Sequence, residues 1–240
     1  MEKVWISPEW EKLSKEYSCP TIIKDKVITP FLLSKELEDC YINKSVLDAG
    51  CGPGHIAKSI LEKFNVKSFT AMDYSESFVK YAKDLKINSE IKPTFSIGDV
   101  RKLPFNDSIF DVVLSINTVP VMSNINDLTK LIQESKRVLN KSGILLLVTT
   151  NDKAILSDKF NENFQVELLE KESTPIKCKL KVKKTDGSFI EFFDLCWTGK
   201  EIVRILEKES FKISFVKGLG GGHFFNDYEP FIFYKAISAG

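Results

Sequence analysis

A chain of 240 residues that is 43% hydrophobic and 28% charged can bury one full core, as a single domain or as a domain carrying an insertion. Its net charge of +1 gives no electrostatic footprint for nucleic acid, and no apolar run approaches the roughly 18 residues of a membrane span. The first 17 residues are too charged for a signal peptide, and the five cysteines (Cys19, Cys40, Cys51, Cys178, Cys196) contain no C-x-x-C pair. That usage fits a reduced cytoplasmic protein rather than a disulfide scaffold or a zinc site.

Two amphipathic helices are expected over residues 8–17 and 27–39, broken at Cys19-Pro20, so that residues 1–43 form a helical cap. Strand and helix patterns then alternate over residues 44–151, as in a parallel doubly wound sheet. The run VLDAGCGPGHIAKSI, Val46 to Ile60, reads as a buried strand, a glycine turn and a helix. FTAMDYS is a second strand ending in Asp73, with Ser75 placed to cap the helix that follows. A third strand ends at Gly98-Asp99, and a fourth, Phe110 to Ile116, is followed by Asn117. RVLNKSGILLLVTT supplies a helix end, a turn and the fifth strand. CKLKVKKTDGSFIEFFDLCW alternates with period two on both sides of Asp186-Gly187, which predicts an antiparallel hairpin inserted over residues 160–197. Residues 198–240 complete the core, with a helix from Thr198 to about Glu209 and the strands FKISFVKGL and EPFIFYKAI.

The glycine turn is the chemical signature. Glycines let the chain reverse tightly and let a ligand lie on bare backbone, and a turn at a helix N-terminus is expected to aim free N–H groups at that ligand. Dinucleotide sites need G-x-G-x-x-G, but here the spacing is G-x-G-x-G and His55 takes the slot of the third glycine. No Lys-Ser or Lys-Thr pair makes a P-loop. Asp48, two residues before Gly50, would repel a pyrophosphate and suits a ligand that carries an ammonium group. Asp73 lies nineteen residues after Gly54, close to the spacing of about 20 at which a strand-tip acid accepts hydrogen bonds from ribose hydroxyls.

On these residues the chain resembles the class I S-adenosylmethionine (SAM) dependent methyltransferases, whose first motif is hydrophobic-hydrophobic-D-x-G-x-G-x-G. The resemblance is strong from Lys44 to Thr150. It implies a Rossmann-like α/β fold: a seven-stranded doubly wound sheet, mostly parallel with an antiparallel last strand, carrying the inserted hairpin and the cap. It implies SAM as cofactor, with S-adenosyl-L-homocysteine as product. Asp48, Gly50, Gly52 and Gly54 would hold the methionine end, Asp73 the ribose, and Asp99 with the Val100 backbone the adenine, while Tyr74 and Asn117 complete the set. The family's R-V-L-K-P-G-G-x-L pattern is matched with departures at Asn140, Lys141 and Ser142, a turn far from the chemistry.

The methyl acceptor is expected at the carboxyl ends of the strands, among the cap, the stretch after Asn117, the insertion and the loop Gly218 to Pro230. His223 in that glycine-rich loop is the residue best matched to removing a proton near neutral pH. Tyr17 matches the tyrosine that many family members place over SAM, although Ser18 follows it where Asp is usual. Trp5, Trp10 and Trp197 offer flat apolar walls or simply core. Asn117-Thr118-Val119-Pro120 lacks the paired prolines of exocyclic-amine methyltransferases, and Ile116 to Val119 offers no acid to join Asn151-Asp152 as a magnesium ligand, so no metal is expected. The expected function is methyl transfer to oxygen or nitrogen of a small molecule in a biosynthetic pathway, without nucleic-acid or membrane partners. The alternatives are a protein or peptide methyltransferase, and a SAM-binding protein with regulatory or other chemistry.

Overall fold

A computed structural model of the chain describes Thr21 and residues 24–157, 164–220 and 229–239. The apolar runs form β1 (Ser45–Ala49), β2 (Ser68–Asp73), β3 (Thr94–Ile97), β4 (Phe110–Ile116) and β5 (Leu139–Thr150). An insert follows, made of β6 (Phe164–Glu170), β7 (Ile176–Lys183) and β8 (Phe189–Cys196); β9 (Phe211–Leu219) and β10 (Phe231–Ser238) close the chain. Seven strands make one sheet in the order β3-β2-β1-β4-β5-β10-β9, and β6-β7-β8 make a separate antiparallel sheet. Strands β1 to β5 are mutually parallel, while β10 is antiparallel to both β5 and β9. The sixth core strand, β9, therefore runs with the parallel set. This is the Rossmann-like arrangement expected from the sequence. The loops after β1, β2, β4, β5 and β9 all emerge at one edge, and the strand order reverses between β1 and β4, where such sheets bind ligands.

Among the described residues the longer helices are α1 (His55–Lys63), α2 (Glu76–Asp84), α3 (Ile125–Val138) and α4 (Gly199–Lys208), which cover the sheet. Local chemistry sets their starts. Ser75 accepts from the Phe78 N–H at 3.2 Å, Asn124 accepts from the N–H groups of Asn126 and Asp127, and Thr198 with Glu201 forms a reciprocal capping box. Period-two alternation sorts the strand side chains into two cores. Val46, Leu114, Leu146 and Val148 face α1 together with Ile28, Leu32 and Leu37 of the cap and Leu180 and Val182 of the insert. Leu47, Val113, Leu145 and Leu147 face α3 and α4. Trp197 belongs to this second core, 1% exposed, with its indole N–H donated to the Met122 carbonyl at 3.0 Å. It is a packing residue and no wall of a site; Trp5 and Trp10 lie outside the described residues.

The cap departs from expectation. The helix expected over 27–39 is three short pieces: a π-helical turn Lys24–Ile28, a helical turn Thr29–Leu32 and a 3-10 helix Lys35–Cys40. Ser34, extended at φ −70° and ψ 158°, separates the second piece from the third and stands at the third's N-cap position without a side-chain cap bond. The apolar spacing misled because Ile28, Leu32, Leu37 and Cys40 still reach the core from the separate turns. The first expected helix, 8–17, lies outside the described residues. Thr21 forms an isolated antiparallel bridge with Lys184 beside the β7–β8 turn, which joins cap to insert. Among the described residues no helix is long and apolar enough to cross a membrane.

The capping box gives a direct test of the α4 assignment. Thr198→Ala should lower stability by about 0.5–2 kcal/mol. A urea titration should show the loss as a lower midpoint with an unchanged slope; an unmoved midpoint refutes the cap.

Candidate active site

The turn after β1 is locked to the end of β2. The N–H groups of Gly50 and Cys51 both donate to the Met72 carbonyl, at 2.8 and 3.0 Å, and the Gly52 N–H donates to Asp73 Oδ2 at 2.7 Å. The expectation that the turn aims free N–H groups at a ligand is thus corrected for these three donors, because the parallel neighbour strand takes them first. What the turn offers is bare backbone. Gly50 has φ +86° and an added Cβ would collide with the Thr118 side chain, which itself donates to the Ala49 carbonyl at 3.0 Å. Gly52 has φ +54° and an added Cβ would meet nothing within 4 Å. Positive φ favours glycine at both positions; packing against Thr118 adds to it at Gly50, whereas Gly52 faces open space.

Two acids converge beneath this turn. Asp73 accepts from Gly52 with one oxygen and from the Ser75 N–H at 2.9 Å with the other. Asp48 is 1% exposed and its Oδ2 has no hydrogen-bond partner. Burial, and then the charge of Asp73, pushes the Asp48 pKa up to about 7 against the pull of Lys24. Burial likewise raises the Asp73 carboxyl despite its backbone hydrogen bonds. Lys24 of the cap is the cation facing both acids, and burial lowers its own pKa. An unpartnered buried carboxylate oxygen costs folding free energy unless a ligand or an ordered water meets it. Asn117, held at φ +56° beyond β4, presents a second buried oxygen, Oδ1, without a partner.

Lys24, Asp73 and Asn117 line a cleft with room for about 180 Å³, while Asp48 lies buried behind its lining. Gly50, Gly52, Asp73, Tyr74 and Asn117 form one wall, and Tyr74 is half exposed. Ile28 of the cap, Leu180, Val182, Phe192 and Asp194 of the insert, and Phe231 form the other. A cavity of about 150 Å³ takes a single benzene ring.

The remaining expected residues stand apart from the cleft lining. Gly54 begins α1 in the left-handed conformation, with Ala82 packed 2.9 Å from where a Cβ would be. Asp99 is gripped by Arg101, whose backbone N–H and Nε reach Oδ1 at 2.8 and 3.0 Å and whose second guanidinium nitrogen reaches Oδ2 at 2.7 Å. Burial would raise the Asp99 carboxyl, but these bonds hold it below its ordinary value. Val100 is 8% exposed and packs into the second core. His55 opens α1, and burial together with Lys24 and Lys58 lowers its pKa to about 4, so it is neutral at pH 7. Asn151 caps the short helix Asp152–Ile155, and Asp152 accepts from the Gly199 N–H at 3.3 Å. His223 and Tyr17 lie outside the described residues. Sequence reading overlooked Lys24, Thr150 and Asp194. The signal for Asp194 was present, since it shares the inward phase of Ile190, Phe192 and Cys196 in an alternating strand.

Residues 47–147 match the family described as Methyltransferase domain. The chain is 27% identical to malonyl-[acyl-carrier protein] O-methyltransferase of Bacillus cytotoxicus over 68% of its own length and 53% of that protein. It is 29% identical to ajmaline N-methyltransferase of Rauvolfia serpentina over 44% of its length and 36% of that protein. The chain thus spans about half the length, or less, of these relatives. Its fold is similar to the crystal structure of a SAM-dependent methyltransferase from Clostridium acetobutylicum, with a TM-score of 0.69 at 16% identity, covering 96% of this chain and 99% of that one.

The two glycines separate packing from binding. Gly50→Ala should destabilise the protein by about 1–3 kcal/mol through overpacking. Gly52→Ala should cost only about 1–2 kcal/mol of backbone strain and yet abolish SAM binding. Thermal unfolding and calorimetry on both variants decide it, and normal SAM affinity in Gly52→Ala would refute the assignment of the open space.

Proposed function

We propose that this chain, which carries a class I SAM-dependent methyltransferase domain, transfers a methyl group from SAM to oxygen or nitrogen of a small-molecule acceptor in a biosynthetic pathway of the cytoplasm. The observation that carries this reading is the pair Asp48 and Asp73 beneath bare Gly52, with one Asp48 oxygen lacking a partner. SAM bears an ammonium group and a ribose diol, which match a buried anion and a strand-tip carboxylate with lone pairs to spare. When bound, it supplies a methyl group already activated on a sulfonium.

The residues divide the remaining work. Asp48, with Gly50, Gly52 and Gly54 shaping the turn, holds the ammonium end. Asp73 and Tyr74 take the ribose, and Asn117 closes the same wall. Asp99 acts through Arg101 to fix the segment that carries Val100 at the adenine end. Hydrophobic walls exclude water and align the acceptor, which is most of what an in-line transfer from an activated carbon requires. His223 is assigned to removing or orienting the acceptor proton, and Tyr17 to covering the cofactor. The described ends of the His223 loop support this, since Gly220 packs against Val27 of the cap and Phe231 lines the cleft. The Thr21–Lys184 bridge, which ties the cap to the insert at the cleft that Thr21 lines, favours a small acceptor over a protein or peptide.

Calorimetry tests the cofactor assignment. Asp73→Ala should weaken SAM binding by roughly 1.5–3 kcal/mol, the value of hydrogen bonds to a charged group. Asp48 adds a pH signature. Its folded pKa of about 7 exceeds the unfolded value, so the folded chain holds an extra proton between about pH 4 and 7 and its stability falls as pH rises through that window. A bound ammonium should expel this proton. Affinity should therefore rise from pH 6 to 8, with binding heats at pH 6 that depend on the buffer's ionisation enthalpy. Asp48→Asn should remove that dependence and raise the melting temperature at pH 8. Buffer-independent heats in the wild type would sink the seat.

Turnover tests His223. With an acceptor found by mass spectrometry of metabolites incubated with labelled SAM, His223→Ala should lower turnover by roughly 10²–10⁴ if it is a base, leaving SAM affinity intact. Unchanged constants would make the residue structural.

A further inference from the structure

The insert brings a second buried carboxylate into the cleft. Asp194 lies on β8 in register with Cys178 of β7, is 4% exposed and lines the cleft beside Leu180, Val182 and Phe192. Thr150, the last residue of β5, donates its hydroxyl to Asp194 Oδ2 at 3.0 Å. Two thiols pack around the pair: Cys178 Sγ approaches the Asp194 carbonyl at 3.6 Å and Cys196 Sγ the Thr150 carbonyl at 3.7 Å. Burial pushes the Asp194 carboxyl up to about 7, offset by the Thr150 hydroxyl and the Leu195 N–H, with no contribution from a cation among the described residues. Tying β8 to β5 needs only a hydrogen-bond acceptor. An amide or hydroxyl would serve without the desolvation of a charge, which costs several kcal/mol per ion. A buried carboxylate that lines the cleft, with no ion pair among the described residues, is arranged for something that enters.

We propose that Asp194, oriented by Thr150, is the polar anchor of the methyl acceptor: a small apolar molecule that rests on Leu180, Val182 and Phe192 and presents a hydroxyl or an amine N–H to this carboxylate. The inference rests on the methyl-transfer reading and specifies its acceptor class. Acceptors that present a carboxylate or phosphate at the reacting end are opposed by like charge once Asp194 is ionised, and purely apolar molecules lack the anchor.

The test uses the full chain and three ring compounds of one shape: 2-phenylethylamine, 2-phenylethanol and ethylbenzene, titrated by ligand-observed NMR in the presence of S-adenosylhomocysteine. The amine, the alcohol or both should bind about tenfold or more tightly than ethylbenzene, the ratio expected of a hydrogen bond to a charged group; which of them does identifies the donor. Asp194→Asn should erase an amine's advantage, and Asp194→Leu that of either donor. Affinity for S-adenosylhomocysteine should stay within about twofold in both variants, since the mutated wall is opposite its proposed seat. The melting temperature of Asp194→Asn at pH 8 should stay level or rise, because a buried charge is removed while the Thr150 bond is kept. Equal binding of all three compounds, or an advantage that survives Asp194→Leu, overturns the proposal. So does a fall in melting temperature of Asp194→Asn with unchanged ligand preference, which marks a structural pin. Failure of the wild type to bind S-adenosylhomocysteine overturns instead the methyl-transfer reading, and the acceptor assignment with it.

Discussion

Negative charge held out of water at the ends of β1 and β2 is the constraint around which this fold is arranged. Asp48 and Asp73 stand on adjacent parallel strands, both raised in pKa chiefly by burial. The backbone around them is fixed so that relaxation cannot relieve the strain. Gly50, Cys51 and Gly52 are tied to Met72 and Asp73, and Gly50 is wedged against Thr118. The compensating cation, Lys24, comes from the cap rather than from the sheet. Electrostatics therefore link the cap to Asp73 in the cleft lining and to Asp48 buried behind it. A preorganised anion of this kind is costly in the empty protein and favourable once a cationic group replaces lost hydration.

Topology decides which other side chains share that space. Because β9 runs with the parallel strands, its following loop leaves at the same edge as the glycine turn, Asp73 and Asn117. Period-two alternation then chooses the face. Leu146 and Val148 pack on the side of α1, cap and insert, which carries Thr150 to the same side, where Asp194 meets it. Phe231 is the register partner of Thr150 and lines the cleft next to it. Cap and insert share one continuous core with the sheet, so the cleft has firm walls despite being built from three separate parts of the chain.

What the sequence made legible was local. The glycine turn, the strand ending at Asp73, the Ser75 cap and the hairpin around Asp186-Gly187 each rest on spacing within a few residues, and each is found in the structure. Illegible features depend on partners distant in sequence. The turn's N–H groups looked free because their acceptor, at Met72, belongs to the next strand. Asp99 looked available because its grip by Arg101 is completed by Asp127 on α3, to which Arg101 donates at 2.8 Å. The broken cap helix shows another limit, in that three short turns can satisfy the same apolar spacing as one helix. Asp194 was legible in phase, but a lone acid in an amphipathic strand only becomes notable once the fold buries it in the cleft lining against Thr150.

The contrast between these acids follows from where the chain places its arginines. Only three are present, Arg101, Arg137 and Arg204. Arg101 clamps Asp99 and Asp127, and Arg137 clamps Glu134 and Asp107 while holding the Leu103 and Phe105 carbonyls. A planar fork makes such multiple contacts in a way that the abundant lysines cannot. Acids that serve the framework are thus matched with fixed, bidentate cations and pulled below their ordinary pKa, as at Asp99 and Glu134. Asp48 and Asp194 are more deeply buried than either, yet neither has an arginine, and both are raised to about 7. If burial alone governed pairing, the deepest acids would be the first to receive a guanidinium. The reverse distribution leaves the deepest acids without a fixed guanidinium: Asp48 keeps one oxygen unpartnered behind the glycine turn, and Asp194, held by the Thr150 hydroxyl, lines the cleft itself.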